Sequence, residues 1–564
     1  MFLLVCKAQT QKEIALKSLA DQGEVMLSVQ FDSQEQLQSI KNIISVEIIS
    51  GNSATIYISS QKFEQLLQLG LNFYVMQPKG MEYQILSSRK KRDLGDWNFY
   101  PTYQQYVSMM EGFQANYPNL CKLVEFGTSV KNRKLLCLKI SDQVAEDESE
   151  PEFLYLATIH GNETGGYNLM LHLIDSLLTA YGTDPEITQV VDSLEIWICP
   201  LFNPDGTYAG GDNVIGTSVS KRFNSNNYDL NRNFPDPVEG NYPNGSWQKE
   251  TIALMSFLKE HNFSLAANLH GGVEVINYPW DVWHPLYPDN RPHADMDWYK
   301  AISRAYADTV HKYAVPGYMT YLDNGITNGA DWYVVSGGLQ DYSNYYLHSR
   351  HLTIELSNNH LPYTNELTNL WKYNYHSLMG YMKQSFYGIK GFVTNAQDTE
   401  PIKAKIRILN HDKDSSEIYS NSSDGFYFRL IEPGTYTLIC SAFGFYNDTI
   451  ENVVLGNQDQ IQVNFELEVD PFAIDTNDIS SKGYSFHPNP ATEYLELILA
   501  LPCNEPILLT IFNSCGKAMF QRTLDTNQNK IQEKYVSIST LQAGSYICKL
   551  ESNCFNKSFT FVKM

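Results

Sequence analysis

The sequence predicts an α/β domain on a mixed open sheet flanked by helices, preceded by a small α+β module and followed by two small all-β sandwich domains. Three observations carry this. Between residues 96 and 386, apolar strand-like runs alternate with segments of helical spacing, the pattern of a sheet covered by helices. After Tyr387 the period changes to two, the spacing of half-buried strands. The 564 residues are too many for one core at about 150 residues per domain, and 43% hydrophobic against 18% charged residues excludes a disordered chain.

Residues 1–9 hold an apolar stub, Phe2 to Val5, with Ala8 before a polar stretch, and are read as a signal-peptide remnant. Cys6 also admits a lipoprotein reading, against which Val5 stands where such a site wants a small residue. Residues 10–93 read as a propeptide-like α+β module. Its strand-like runs are Val25–Phe31, Val46–Ile49 and Thr55–Ile58, and Phe63, Leu66 and Leu67 lie at helical spacing before Gly70. Near its end Arg89, Lys90, Lys91 and Arg92 are a solvated linker by default, and also a cluster of the kind proteases cut.

Within 96–386, Phe153–Ile159 is a strand with the helix Gly165–Ala180 behind it, and Leu194–Cys199 is another strand. Ile252, Met255 and Leu258 mark a helix, and Leu265–Leu269 and Leu352–Ile354 are later strands. Over 387–470, Ile402, Ala404, Ile406 and Ile408 alternate with polar partners, as do Tyr436, Leu438 and Cys440 after the Pro433-Gly434 turn, so this segment is a β sandwich. A polar linker over 471–483 leads to a second all-β unit over 484–564, with strands near Leu495–Leu499, Ile507–Phe512 and Phe559–Val562.

Lys plus Arg number 41 and Asp plus Glu 63, a formal charge of −22 that repels polyphosphate and makes nucleic acid a poor partner. No apolar run reaches the roughly 20 residues of a membrane-spanning helix; that around Leu495–Leu501 is short and broken by Glu496. The nine cysteines include no C-x-x-C pair, so a cysteine metal site is not indicated. Cys503, Cys515, Cys548 and Cys554 can form two bridges in an oxidising compartment or remain buried thiols.

The chemistry concentrates at His160-Gly161-Asn162-Glu163, directly after an apolar strand and before a helix. A loop at the carboxyl end of a strand is where open α/β sheets place ligands. An imidazole and a carboxylate three residues apart there can grip one Zn²⁺, and catalytic zinc usually takes a third protein ligand and keeps one position open. His270, in Leu269-His270-Gly271-Gly272 at another strand end, supplies it. His172 and Asp175 repeat the spacing inside a helix and are read as ordinary helix residues.

Seven segments in order resemble the zinc metallocarboxypeptidases, specifically the regulatory subfamily of carboxypeptidases E, N, M and D. They are HGNETGG from His160, FNPDG from Phe202, RFNSNNYDLNRNFPD from Arg222, LHGG from Leu269, YPWD from Tyr278, GITNGADWYVVSGGLQDY from Gly325 and TIELS from Thr353. The resemblance covers about 96–470, because that subfamily follows its catalytic domain with a transthyretin-like sandwich. It implies a metallocarboxypeptidase with one Zn²⁺ per catalytic domain on His160, Glu163 and His270. By the same resemblance Glu355 is the general base, Arg222 stabilises the oxyanion, Tyr333 closes over the substrate, and Asn231 and Arg232 clamp its terminal carboxylate. Asp281 and Gln340 line the pocket for the departing side chain, where a carboxylate favours Lys or Arg.

The chain departs from the family after Glu355, where LSNNHLPYTNEL lacks the cysteine pair common in animal relatives; His348, His351 and His360 nearby match no ligand set and are read as surface or hydrogen-bonding residues. The last unit, with FHPNPATEYLEL from Phe486, LQAGSY from Leu541 and the final KSFTFVKM, resembles the C-terminal sorting domain of type IX secretion cargo of Bacteroidetes. The expected protein is therefore a secreted or cell-surface monomer without a transmembrane segment. Its partners are peptide or protein C-termini and, through the last domain, the secretion machinery. Two other readings are open on the sequence: a cell-wall peptide hydrolase of the same fold, and a catalytically inactive surface-binding protein.

Overall fold

The computed structural model describes the chain except residues 1–9, 45, 87–96, 239, 241–245, 283–290, 471–483, 488–489, 493, 500–506, 514–515, 525–531 and 553–555. The signal remnant, the basic cluster Arg89–Arg92, the linker and Cys503, Cys515 and Cys554 lie outside the described residues. Two compact units result, the second being Val469–Met564 with Phe443–Phe445.

The N-terminal module is a four-stranded antiparallel sheet in the order Val46–Ser50, Ser53–Ser59, Glu24–Gln30, Phe73–Met76, with three helices. Its first helix, Gln11–Gln22, starts at Thr10 in a capping box with Glu13 and ends at Gly23, whose φ of 79° no β-carbon residue takes easily. Leu27, Val29, Ile56, Ile58, Phe63 and Leu66 form its core. The strand Val46–Ser50 leaves that core at Glu47, whose carboxylate points the other way, into the neighbouring domain.

That domain is built on an eight-stranded mixed sheet. From one edge its order is Ile326–Asn328, Glu274–Tyr278, Arg350–Leu356, Phe263–His270, Glu152–Ala157, Glu195–Cys199, Lys134–Ile140, Cys121–Thr128. The four strands from Arg350–Leu356 to Glu195–Cys199 run parallel, with antiparallel strands flanking them. Parallel strands covered on both faces read as unbroken apolar runs, and Phe153-Leu154-Tyr155-Leu156-Ala157 is such a run. Phe153, Tyr155 and Ala157 pack with Leu173, Leu177 and Leu378 on one face, while Leu154 and Leu156 meet Leu254, Phe257 and Leu339 on the other.

Two details differ from the sequence reading. The strand expected to reach Ile159 stops at Ala157, because Thr158 takes a φ of 63° and throws residues 158–163 across the strand ends. The helix Lys249–Lys259 buries Leu254, Phe257 and Leu258, and Ile252 is 49% exposed. Its inward stripe follows the 254, 257, 258 spacing rather than the 252, 255, 258 row.

After this domain, two sheets make the expected sandwich. Gly388–Asn395 anchors one with Phe426–Arg429 and two short strands; the other orders Ile418–Tyr419, Lys405–Ile408, Gly434–Ser441, Asp448–Leu455. Ile402, Ala404, Ile406 and Ile408 all point inward. The second unit is also all-β, with a three-stranded and a four-stranded sheet around Leu495, Leu497, Leu509, Ile511 and Phe561. Cys548 is a buried free thiol there.

Candidate metal centre and substrate cleft

The positive φ at Thr158 lays His160 and Glu163 over the carboxyl ends of the central strands. Gly161 permits the close approach, since a β-carbon there would collide with the Gly206 backbone. His270 ends its strand directly opposite Glu355 in parallel register. Sheet topology thus brings residues 107 and 192 positions downstream of Glu163 to one place.

His160 Nδ1 lies 2.8 Å from Glu163 Oε1, and His270 Nδ1 lies 2.7 Å from Glu163 Oε2. All three side chains are buried, and their ligand atoms fall within 4.8 Å of one another. The outer nitrogens are braced: His160 Nε2 meets Asp229 Oδ1 at 3.0 Å, and His270 Nε2 meets Asn268 Nδ2 at 2.8 Å. A carboxylate on one ring nitrogen fixes the tautomer that presents the other as a lone pair. Asn268 Oδ1 has no hydrogen-bond partner, so an amide turned about its axis also accepts from His270 Nε2. Two imidazoles and a carboxylate, held in this way, fit zinc in a three-ligand site.

The electrostatics agree with a cation cradle. Burial raises the Glu163 carboxyl, but the facing charges of His160 and His270 outweigh it and hold the group well below the usual carboxylate range. Burial and Arg222 push His160 down, and Glu163 and Asp229 reverse that to a net rise. Glu355 is pushed well up, by burial first and then by Glu163 and Glu47. Arg222 donates from Nη1 to Glu163 Oε1 at 3.0 Å and from Nε to Asp229 Oδ2 at 3.1 Å. It is fixed beside the triad with its charge in place.

The cleft beside these residues is lined also by Asn231, Arg232, Asp281, Tyr333 and Glu355. The structure therefore brings nine of the ten expected site residues to one cavity, and the tenth, Gln340, stands one bond behind. Gln340 Nε2 and Asn277 Nδ2 donate to Asp281 Oδ1 at 2.8 and 3.0 Å. Asn231 Oδ1 accepts from the Leu339 N–H, and Arg232 Nη1 donates to the Asn231 carbonyl, so the two are oriented together. Burial lifts Asp281 to about 6, while Asp341, which accepts from the backbone of Asp281 and Val282, is lifted well above the carboxylate range by burial and by Asp281.

The three nearby histidines go to separate places: His348 Nδ1 meets the Ser415 carbonyl, His360 Nε2 meets Glu47, and His351 is buried on its strand. Sequence reading missed Asp229, Asn268, Asn277, Asp341 and Glu47. The first four lie within or next to the quoted motifs and were findable there; Glu47 lies over a hundred residues away with no local signal.

Comparisons with known proteins agree in order along the chain. The zinc carboxypeptidase family matches residues 106–377, the carboxypeptidase regulatory-like domain 388–468, and the secretion system C-terminal sorting domain 485–563. The last indicates export to the cell surface or beyond, and among the described residues no helix is long and apolar enough to cross a membrane. Carboxypeptidase D of Homo sapiens is 40% identical over 384 residues, covering 66% of this chain and 27% of that protein. The chain thus spans about a quarter of the length of carboxypeptidase D. Carboxypeptidase M of Mus musculus is 37% identical over 344 residues, covering 59% of this chain and 75% of that protein. The crystal structure of carboxypeptidase A from Helicoverpa armigera shares the fold at a TM-score of 0.50 and 17% identity, over 64% of this chain and 97% of that one. The chain belongs to the zinc carboxypeptidase family.

Proposed function

We propose that the protein hydrolyses the C-terminal peptide bond of peptides or proteins with zinc as cofactor, and prefers a terminal Lys or Arg. The observation that carries the reading is one cavity lined by the His160–Glu163–His270 triad, two arginines and the buried Asp281. Zinc in the triad supplies Lewis-acid polarisation at neutral pH.

The remaining steps belong to the chain's own side chains. Arg232 and Asn231 clamp the terminal carboxylate, and a guanidinium suits this because its fork makes two parallel bonds to a carboxylate. That clamp limits the enzyme to chain ends. Glu355 takes the proton of the attacking water and gives it to the leaving amine, the kind of transfer worth about 10² to 10⁴ in rate. Arg222 faces the oxyanion as it forms; being held already by Glu163 and Asp229, it needs no reorganisation. Asp281, 5% exposed, pairs with a basic side chain, and an apolar one would leave its charge desolvated.

The test is hydrolysis of matched peptides ending in Arg, Lys and Phe by zinc-loaded protein, with and without a chelator. Release of the last residue only, abolished by chelation and restored by zinc, is expected. Cleavage inside the peptides, or none with zinc bound in the triad, refutes the reading.

A further inference from the structure

The amino ends of the parallel strands carry a cavity of their own. Glu152 and Glu195 open two of these strands and His261-Asn262 immediately precede a third, so this edge of the sheet is the one opposite the metal triad. Between it and the β sandwich lies a groove of about 650 Å³. Sites that take a small organic molecule measure roughly 300 to 1,000 Å³. The two walls are fastened together: Asn262 Nδ2 donates to the Tyr419 carbonyl at 3.1 Å and to Asn421 Oδ1 at 2.8 Å, and the His348 and Tyr419 rings lie 4.8 Å apart.

Trp197, 5% exposed, lines the groove, with Phe257, Phe263 and His261 packed about its ring. Its Nε1 is buried and has no hydrogen-bond partner. A buried indole N–H ordinarily finds an acceptor. No neighbouring side chain supplies one here, and the groove is the side from which an oxygen can come. The carboxylates at the strand ends are already engaged, Glu195 by Lys139 Nζ at 2.6 Å and Glu152 by His261 Nδ1 at 2.6 Å. Around the groove, exposed Lys122, Lys259 and Lys403 are matched by exposed Glu146, Asp147 and Glu260, a balance that favours neither an anion nor a cation. Exposed Ser422 and Ser423 add hydroxyls from the sandwich wall. Donors and acceptors offered together suit an uncharged polyhydroxyl ligand, whose every hydroxyl donates one bond and accepts others. An extended peptide instead docks on a free strand edge. The strand here, Ile418–Tyr419, is two residues long, and Asn262 already takes the Tyr419 carbonyl.

From this we infer that the groove between the catalytic sheet and the sandwich binds a short neutral oligosaccharide, Trp197 Nε1 donating to a sugar oxygen while the serine and charged walls bond its hydroxyls. The site lies at the opposite edge of the sheet from the metal triad and does not depend on the peptidase reading.

The full-length zinc-loaded chain is passed over an array of neutral and charged oligosaccharides, and those retained are titrated by calorimetry. We expect a neutral oligosaccharide to bind with a Kd below about 1 mM, equally well after chelation of zinc and in Glu355→Gln. Trp197→Phe keeps the ring and removes the N–H, and Ser422→Trp narrows the groove from an exposed position. Each should weaken binding about fivefold or more, with melting temperature and zinc content kept. Retention when the same sugar is linked to a protein, or forms part of an insoluble polysaccharide, supports the site and identifies its source. The inference is overturned if no neutral oligosaccharide binds below that limit, if only charged ones do, or if a peptide is captured in place of sugar. Binding that either folded variant leaves unchanged, or that vanishes with zinc, overturns it equally.

Discussion

Replacing Asp281 by alanine separates specificity from catalysis. Asp281 and Asp341 are neighbours, but Asp341 is driven well above the carboxylate range by burial and then by Asp281, while Asp281 itself is lifted only to about 6. Above that pH the pair's charge therefore resides on Asp281, oriented by Gln340 and Asn277. Truncating one partner of a buried charge pair costs about 2 to 5 kcal/mol. Asp281→Ala should lower kcat/KM on an Arg-terminated peptide by about 30-fold to a few thousand-fold, since each 1.4 kcal/mol is tenfold. A Phe-terminated peptide makes no such pair, so its kcat/KM should hold or rise. The assay is kcat/KM of the zinc-loaded chain on the two peptides. Equal losses on both would show that Asp281 supports the fold and does not read the side chain.

Four further outcomes follow from the same geometry. Because kcat/KM reports groups of the free enzyme, the ratio of Arg to Phe kcat/KM should rise with pH as Asp281 deprotonates through about 6 and then level off; a flat ratio from pH 5 to 8 removes Asp281 from the pocket. Glu355→Gln should keep one zinc per chain by metal analysis and lose about 10² to 10⁴ in rate; retained turnover defeats the general-base role. Asp229→Asn, which takes the carboxylate from His160 Nε2, should weaken zinc binding about 10- to 100-fold in chelator competition. Asp295→Asn should destabilise the first unit by about 3 to 5 kcal/mol in urea unfolding, because it removes the carboxylate that pairs with buried Arg350 at 2.8 Å and one of the two that pair with buried Arg429, at 2.9 Å, leaving Asp412 to Arg429.

What the residues disclosed beforehand has a physical boundary. The strand–loop–helix around His160 was legible because an apolar run, a ligand loop and a helical stripe are local patterns, and the helix Gly165–Ala180 has the ends expected. His160, Glu163, His270 and Glu355 sit at or just past the ends of parallel strands, and a parallel sheet collects such ends at one edge. The helix Lys249–Lys259 was legible, but which of its two apolar rows turns inward depends on what packs against it. Glu47 was beyond reach for a stronger reason. Its meaning comes from contact with His360, 313 residues away, and a lone carboxylate in a strand of Val-Glu-Ile-Ile looks like an ordinary polar position.

The charges around the cleft tie specificity to the seating of the N-terminal module, whose Glu24 and Glu47 contact Arg222 and His360. Glu163, Asp229, Asp281 and Glu355 face Arg222 and Arg232, which leaves two negative charges that a divalent ion cancels when all four carboxyls are ionised. A chain end with a terminal Lys or Arg brings one positive and one negative charge, so it enters a balanced site without unbalancing it. An apolar chain end brings only its carboxylate, and in a buried site that excess is poorly screened by salt. Glu47 is electrostatically the same visitor as an apolar end: one carboxylate beside Arg222 with no cation for Asp281. Removing the Asp281 charge should therefore do two things at once, improving the relative standing of Phe-terminated peptides and tightening the seat of the N-terminal module. The second effect is measurable as slower exchange of the Arg222 and Phe223 amides, which donate to Glu24 at 2.8 and 3.0 Å, in the Asp281→Ala chain. Faster exchange there would mean that apolar contact and the Glu24 bonds alone decide whether the module stays.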